Sequence, residues 1–314
     1  MINNKAAGVD LSVTIAGVRL KNPVIAASGT FGYGREYARI IDVSRLGGIC
    51  TKGLTLNPRP GNKGIRVWET PAGLLNSIGL ENPGIAVFLE KELPFMRKLG
   101  TAVIANLSGS TIEEYAQGAS LLNESEVDMI ELNISCPNVK AGGMSFGLDP
   151  QAASSVVGPV RKALTGKPLM VKLSPNAPDL LLVAKACIDS GADALSLVNT
   201  FKAMAINIQT RKPVFDNISA GLSGPAVKPI ALRMVWDLRK AVTVPIVGLG
   251  GIACADDALE FLMAGAKAVQ VGSATFAHPN SMIEVIEGVE RYMITNGFST
   301  LSEISLLENY INCP

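Results

Sequence analysis

Apolar runs of strand-forming residues recur eight times along the chain, and amphipathic helical patterns separate them. The runs are almost continuously apolar, which is typical of parallel strands covered on both faces. They lie at residues 24–28, 48–52, 102–107, 129–135, 169–173, 194–199, 245–248 and 268–272, and the helical patterns lie at 34–42, 83–99, 112–123, 150–164, 178–190, 226–241, 256–264 and 281–295. Eight alternating units predict a closed (β/α)8 TIM barrel rather than an open sheet.

The segments outside these units predict how the two ends of the barrel are finished. Residues 11–20 alternate polar and apolar around Ala16-Gly17, which indicates a β-hairpin at the N-terminal end of the barrel. Three connections are long, at residues 53–82, 136–149 and 200–225, and each follows a strand. They should therefore lie at the C-terminal face, where barrel enzymes place their active sites. No linker or low-complexity tract interrupts the pattern, so we expect one domain over residues 1–314.

Composition narrows the classes of function. The 314 residues include 28 basic and 27 acidic side chains, a net charge of +1 that provides no general attraction for nucleic acid or an anionic membrane. No apolar run approaches the roughly 20 residues that span a bilayer. The five cysteines are scattered without CxxC spacing, so we expect no metal site, no disulfide framework and a cytoplasmic location. With a single histidine, proton chemistry should depend on Cys, Lys, Asp or Glu.

Glycines close the last two predicted strands. Gly248-Leu249-Gly250-Gly251 ends one, and Val271-Gly272-Ser273 ends the next. Glycine lets backbone N–H groups approach a phosphate closely, although tight turns alone also require it. The occurrence of two such endings on adjacent strands favours a phosphate site.

Two lysines are candidates for binding charged groups. Lys172 lies within an apolar strand, and an inward-facing lysine must find an anionic partner or lose its proton. It could stabilise negative charge on a reduced flavin, form a Schiff base as in aldolases, or pair with Glu131 on the neighbouring strand. Lys52 ends the second strand and could bind a substrate carboxylate or be a solvated surface lysine.

The segment Asn133-Ile134-Ser135-Cys136-Pro137-Asn138 carries the sharpest local signal. Cys136 opens a glycine-rich loop at the predicted pocket, where a cysteine can act on substrate and the loop can close over it. Amide side chains also gather at or beyond strand ends, at Asn76, Asn106, Asn133, Asn138 and Asn199. Each one alone suits a turn, but together their donors and acceptors favour a planar heterocyclic ligand.

Three motifs resemble class 1 dihydroorotate dehydrogenases, in the same order and over residues 11 to 292. They are Asn76-Ser77-Ile78-Gly79-Leu80, the Asn133 to Asn138 segment, and Gly221-Leu222-Ser223-Gly224-Pro225. The resemblance implies FMN contacts at Ser28, Lys52, Gly53, Asn106, Asn133, Lys172 and Val198, and phosphate contacts at Gly224, Gly250, Gly251, Gly272 and Ser273. It implies substrate contacts at Lys52, Asn76, Ser77, Ile78, Gly79, Leu80, Asn133, Asn199 and Thr200.

The same resemblance implies the chemistry, which is oxidation of (S)-dihydroorotate to orotate in pyrimidine biosynthesis. Cys136 matches the base that removes the C5 proton, while a hydride passes from C6 to N5 of FMN. Neighbouring amides would stabilise the developing enolate charge, and Lys172 near flavin N1 would offset the negative charge of the reduced ring. The membrane-bound class resembles this chain less, since it uses serine as the base and carries a membrane extension.

Two further runs, at residues 139–143 and 224–229, resemble the B-type of class 1, which reduces NAD⁺. This chain has no GxGxxG fingerprint and no cysteine cluster for iron–sulfur. The resemblance therefore implies an electron-transfer subunit that carries FAD and a [2Fe–2S] cluster, in a heterotetramer built on a catalytic homodimer. Four alternatives stay open: an A-type enzyme using fumarate, a related FMN enzyme acting on another dihydropyrimidine, a Schiff-base aldolase using Lys172, and a non-catalytic flavin-binding or scaffold protein.

Overall fold

The computed structural model describes residues 8–135 and 146–306, and its centre is a closed parallel barrel of eight strands. In chain order the strands are Val24–Ala26, Gly48–Cys50, Ala102–Leu107, Met129–Asn133, Leu169–Lys172, Ala194–Leu197, Ile246–Leu249 and Ala268–Val271. Each pairs with the next in sequence, and the last pairs with the first. The predicted (β/α)8 TIM barrel is confirmed.

Helices follow most strands and bury their apolar faces against the barrel wall. They are Ile85–Val87, Leu93–Arg97, Ile112–Asn123, Pro150–Ala163, Leu180–Asp189, Lys228–Ala241, Ala255–Met263, Ala274–Ala277 and Ser281–Asn296. Side chains at three starts accept hydrogen bonds from the first turn: Thr111, Asp149 and Asp179. Among the described residues, no helix is long and apolar enough to cross a membrane.

Two helix predictions need correction. Residues 34–42 form only a short 3-10 turn at Tyr37–Arg39, because the chain before it bends through left-handed glycines such as Gly34, with φ of 85°. Residues 83–99 are helical but interrupted, with a π turn at Phe88–Glu92 in which Leu93 N–H donates to the carbonyl of Phe88. Pro94 follows directly and has no N–H to continue a regular helical ladder.

The N-terminal hairpin closes the bottom of the barrel, as predicted. Val13–Ile15 pairs antiparallel with Val18–Leu20 around Ala16-Gly17. Ile15 and Leu20 are buried against a layer of inward side chains from every strand, which are Ile25, Cys50, Ile104, Met129, Met170, Ala194, Val247 and Ala268. This layer closes the N-terminal half of the barrel interior within the described residues, so ligands would reach the interior from the C-terminal mouth.

The long connections at the mouth form a small sheet that the sequence did not predict. Phe201–Met204, Ser219–Ser223, Gly73–Asn76 and Val67–Thr70 pair in that order as an antiparallel sheet. Leu75, Val214, Phe215 and Ala220 form a hydrophobic cluster of buried residues within the same connections. Two long connections are therefore fixed to each other, which gives the mouth one rigid wall.

Candidate functional site

Above the apolar bottom layer, the interior of the barrel becomes polar. Side chains on a strand alternate between inside and outside, so Met129, Glu131 and Asn133 face inward in succession. On the next strand, Lys172 is the inward-facing residue after Met170, and it pairs in register with Asn133. The polar layer therefore begins one residue pair above the bottom and continues to the mouth.

Glu131 is the centre of this layer. It is fully buried, and its Oε1 accepts hydrogen bonds from Ser196 Oγ at 2.8 Å and Gln270 Nε2 at 2.7 Å. Its Oε2 accepts from Asn106 Nδ2 at 2.6 Å and Cys50 Sγ at 3.0 Å. Burial raises the pKa of Glu131, but the Lys172 ammonium and these hydrogen bonds outweigh burial and hold the pKa below its ordinary value. The group is therefore a carboxylate.

Lys172 extends from this carboxylate toward the mouth. Its Nζ lies 3.7 Å from Glu131 Oε2 and donates a hydrogen bond to Ser28 Oγ at 3.2 Å, and the residue is 3% exposed. The internal ion pair considered from the sequence is thus present. It is longer than a hydrogen bond, so it balances the lysine's charge without using its N–H groups.

Unpaired buried acceptors mark the space beside Gly53. Asn106 Oδ1 and Ser108 Oγ are buried and have no hydrogen-bond partner among the described residues. A Cβ added at Gly53 would lie 3.2 Å from that Asn106 oxygen and 3.1 Å from Leu80 Cδ2. Buried polar atoms without partners are unfavourable by about 1–3 kcal/mol each, so a ligand group that donates a hydrogen bond to Asn106 Oδ1 would remove one such cost.

Two of the amides predicted to bind substrate, Asn133 and Asn199, meet at the mouth. Asn199 Nδ2 donates to Asn133 Oδ1 at 3.2 Å, and Asn199 Oδ1 accepts from the N–H of Thr200 at 2.8 Å. Tyr115 Oη donates to the carbonyl of Asn133 at 2.8 Å, and Ser135 Oγ donates to the carbonyl of Lys172 at 3.3 Å. These bonds fix the chain at the mouth as far as Ser135.

Residues 76–80 form a partly buried edge of the mouth beside the small sheet. Asn76 Nδ2 donates to the carbonyl of Gly221 at 3.3 Å, and Ser77 Oγ accepts from Asn62 Nδ2 at 3.0 Å. Gly79 and Leu80 both lie in the left-handed region, with φ of 76° and 55°. A Cβ at Gly79 would overlap the side chain of Asn62, so this tight turn requires glycine.

Lys52 lies at the same edge and is not a freely solvated lysine. Its side chain is 30% exposed, and its Nζ lies 3.6 Å from Glu81 Oε2. Glu81 also pairs with Arg66 at 2.8 Å. Lys52 therefore projects from a charged cluster at the rim, within a part of the mouth where an anionic group of a substrate could meet it.

Three predicted phosphate residues are brought close to one another. Gly250 and Gly251 follow the seventh strand, with φ of 130° and 76°, and Gly224 has φ of 101°. A Cβ at Gly251 would lie 2.8 Å from the carbonyl oxygen of Gly224, and a Cβ at Gly250 would lie 3.1 Å from Val198 Cγ2. Their positive φ angles and these close contacts therefore require glycine, which agrees with the alternative that these glycines only form tight turns.

Gly272 and Ser273 follow the eighth strand, next to the seventh, and Gly272 differs from the other three glycines. Its φ lies outside the left-handed region, and a Cβ there would meet nothing nearer than Ala27 Cβ at 3.5 Å. The protein's own packing therefore does not explain glycine at this position. Lys228 lies near Gly251, and its ammonium donates to Asp257 at 2.7 Å and Glu260 at 3.0 Å. These two carboxylates offset the positive charge of Lys228. An anion here would be held by backbone N–H groups.

Cys136 and Asn138 lie outside the described residues. Burial raises the pKa of the Cys50 thiol well above its ordinary value, and the Glu131 charge adds to this shift. Burial also raises the pKa of Cys187 to about 12. Neither cysteine is a thiolate near neutral pH, so neither is a candidate base.

The sequence interpretation missed most of the polar layer below Lys172. Cys50, Ser196 and Gln270 all donate to Glu131, although each lies in an apolar strand. The available signal was a polar residue at an inward position of a strand that is otherwise apolar on both faces. That signal identifies Glu131 and Gln270, but it does not show that they contact each other.

Comparisons with known proteins find similar sequences over nearly the whole chain. The model of the family described as dihydroorotate dehydrogenase matches residues 10–293. The chain is 59% identical over 296 residues to "Dihydroorotate dehydrogenase B (NAD(+)), catalytic subunit" of Petrotoga mobilis, which covers 94% of this chain and 98% of that protein. Proteins with the same name are 55% identical in Thermoanaerobacter pseudethanolicus and 54% identical in Geotalea daltonii, with 94% of this chain and 98% and 97% of those proteins covered.

Proposed function

We propose that this chain, which belongs to the dihydroorotate dehydrogenase family, oxidises (S)-dihydroorotate to orotate with FMN bound in the barrel mouth. The observation that carries the proposal is the meeting of Lys172, Asn106 and Asn133 on three adjacent strands, with a buried acceptor of Asn106 left unpaired. The names of the similar proteins from Petrotoga and Thermoanaerobacter support the same reaction.

The residues of the mouth fit FMN. Asn106, Lys172 and Ser28 would hold the ring, with Lys52, Gly53, Asn133 and Val198 around the ring and ribityl chain. Gly224, Gly250, Gly251, Gly272 and Ser273 would hold the phosphate through backbone N–H groups. When bound, FMN supplies the hydride acceptor of the reaction, at its N5. The apolar bottom layer keeps water from reaching the ring through the barrel.

The substrate would lie between this ring and the rim. Asn76, Asn133 and Asn199 offer amides to the planar dihydropyrimidine, with Ser77, Ile78, Gly79, Leu80 and Thr200 around it. Lys52 would pair with the substrate carboxylate in place of part of its interaction with Glu81. Cys136, which follows the fixed residue Ser135, would remove the C5 proton as a thiolate.

An anaerobic visible spectrum of the purified chain, before and after addition of dihydroorotate, tests this function. We expect a yellow protein whose flavin absorbance is bleached by the substrate. A yellow protein that dihydroorotate does not bleach would retain the cofactor and reject the substrate. A colourless protein that cannot be reconstituted with FMN would reject both.

The electrons are proposed to leave through a second subunit that carries FAD and a [2Fe–2S] cluster, in a heterotetramer built on a catalytic homodimer. The support is the "catalytic subunit" and "NAD(+)" in the names of the relatives. In the described part of the chain, no group of three or more His, Cys, Asp or Glu could hold a metal ion. We expect the isolated chain to reduce NAD⁺ only when the partner is added, and equal rates without the partner would contradict this route.

The Schiff-base aldolase, with Lys172 as its nucleophile, is distinguished by experiment. It predicts a colourless protein that borohydride traps covalently with its substrate on Lys172, whereas the proposed enzyme is yellow and forms no such adduct. An A-type enzyme using fumarate is distinguished by the acceptor assay above.

The cytoplasmic location stays a prediction.

The substitution Gly272→Ala is expected to leave the fold unchanged and to weaken FMN binding by about tenfold or more. The new methyl group would be tolerated by the protein, since its nearest neighbour is Ala27 Cβ at 3.5 Å, but it would occupy space assigned to the phosphate. Fluorescence titration of apoprotein with FMN measures the effect, and thermal unfolding checks the fold. Gly166→Ala is the matched control, because it adds the same methyl group in an exposed turn with open space. Equal FMN affinity in both variants would show that Gly272 does not contact the phosphate.

A further inference from the structure

The barrel centre contains one pair of opposite charges. Within residues 8–135 and 146–306, Glu131 and Lys172 are the only charged residues that are buried, at 0% and 3% exposure. Charges inside a protein are weakly screened and act over longer distances than surface charges. Whatever binds above Lys172 therefore experiences both charges, and the pair has a net charge of zero.

The two charges contact their surroundings differently. The carboxylate of Glu131 accepts four hydrogen bonds from other strands, from Cys50, Asn106, Ser196 and Gln270, so its position is fixed without the lysine. The ammonium of Lys172 donates to Ser28 Oγ and lies 3.7 Å from the carboxylate. An ammonium has three N–H groups. The carboxylate therefore offsets the charge of Lys172 without taking up the N–H groups that remain beside the one donated to Ser28.

From this arrangement we infer that Glu131 is a positioning residue which limits, through Lys172, how strongly the site favours negative charge on a bound flavin. The inference rests on the proposed function, because it requires FMN above Lys172. Lys172 alone would strongly stabilise negative charge on the reduced flavin ring. A fixed carboxylate behind the lysine reduces this stabilisation, so the electrons can pass on to NAD⁺ more readily.

Replacing Glu131 by glutamine removes the charge and nearly preserves the shape. The new amide can accept from Asn106 and Cys50 and can donate to Ser196 Oγ, whose hydroxyl is able to accept. Gln270 Oε1 is buried without a partner among the described residues, so a turned Gln270 amide could also accept from the new group. The variant is therefore expected to fold and to bind FMN.

Sulfite is the probe, because it adds to oxidised flavin and leaves negative charge on the ring without any turnover. At pH 6, we expect the FMN-loaded Glu131→Gln protein to bind sulfite about tenfold more tightly than wild type, the scale of one charge removed across several ångströms of protein interior. The midpoint potential of its flavin should rise correspondingly. Ser196→Ala is the matched control: it removes one hydrogen bond to the same carboxylate and keeps the charge, so its sulfite affinity should stay within about twofold of wild type.

A merely structural role of Glu131 would lower the unfolding temperature of both variants and leave sulfite affinity unchanged. Unchanged or weaker sulfite binding in yellow Glu131→Gln protein would overturn the inference and leave the proposed function intact. Wild-type protein that binds no FMN would instead end the proposed function. If glutamine is not tolerated at position 131, Glu131→Met combined with Gln270→Leu removes the charge together with one of its donors. The same tenfold gain is expected there.

Discussion

Replacing Cys136 by alanine should leave FMN bound and slow the reduction of the flavin by dihydroorotate by roughly 10²–10⁴-fold, the usual contribution of a positioned general base. The C5 proton of the substrate is weakly acidic, so hydride loss from C6 depends on a group that removes it. Neither Cys50 nor Cys187 can take over, because burial raises the pKa of both thiols. Anaerobic stopped-flow mixing measures the flavin bleaching rate directly, without a partner or acceptor.

Cys187→Ala provides the control for this experiment. Cys187 is a buried thiol on the outer helix Leu180–Asp189, so its loss removes a thiol without changing the mouth. Its bleaching rate should match that of wild type, although a small cavity will lower stability. The pH profile gives a second readout: the wild-type rate should rise as Cys136 becomes a thiolate, and the Cys136→Ala rate should lack that rise. A Cys136→Ala protein that is bleached at the wild-type rate would remove Cys136 from the mechanism.

The barrel was predictable from the sequence because each of its strands is buried on both faces. Segments such as Ile246–Leu249, between Pro245 and Gly250, are short apolar runs bounded by turn residues, which is typical of strands covered on both faces. The hairpin at the bottom was predictable for the opposite reason. Its alternation of buried and exposed positions around Ala16-Gly17 is the signature of a sheet with one solvated face.

The small sheet at the mouth was not predictable by the same means. Its pairing of Asn76 with Gly221 joins residues far apart in the chain, and no local pattern specifies such a partner. The failed helix at residues 34–42 has a local cause. Apolar spacing indicated a helix, but left-handed glycines at Gly32 and Gly34 direct the backbone into turns. Tertiary pairing and glycine conformation therefore account for the differences.

The site was predicted unevenly. The motif residues at the rim could be identified because resemblance to a family preserves their order, and the structure places Asn133 and Asn199 together. The environment of Glu131 could not, since its donors come from four other strands and meet only when the barrel closes. A sequence shows that a polar residue lies in an apolar strand, but the hydrogen bonds that make it favourable are a property of the closed barrel.

Replacing Lys172 by methionine is expected to slow flavin reduction by dihydroorotate by about 10²-fold or more, the scale for losing one preorganised charge at a reacting centre. The variant retains the volume of the side chain and loses the ammonium, so the ring above it would gain electrons beside an uncompensated Glu131 carboxylate. Sulfite affinity should fall for the same reason, in the direction opposite to that of Glu131→Gln. Removing one partner of a buried pair also lowers the free energy of unfolding, by about 3–5 kcal/mol in general. We expect the lower end here, because Glu131 keeps four other hydrogen-bond donors.

Lys185→Met separates the loss of the site from the loss of a positive charge on the whole molecule. Lys185 is exposed on the helix Leu180–Asp189, and its replacement should change neither the bleaching rate nor sulfite binding. Stopped-flow bleaching and sulfite titration of both FMN-loaded variants, with unfolding in urea for stability, measure the three effects separately. A structural role alone would lower the stability of Lys172→Met and leave its reduction rate near that of wild type. That result would remove Lys172 from the reaction. Its hydrogen bond to Ser28 Oγ at 3.2 Å would then serve only to pack the barrel interior.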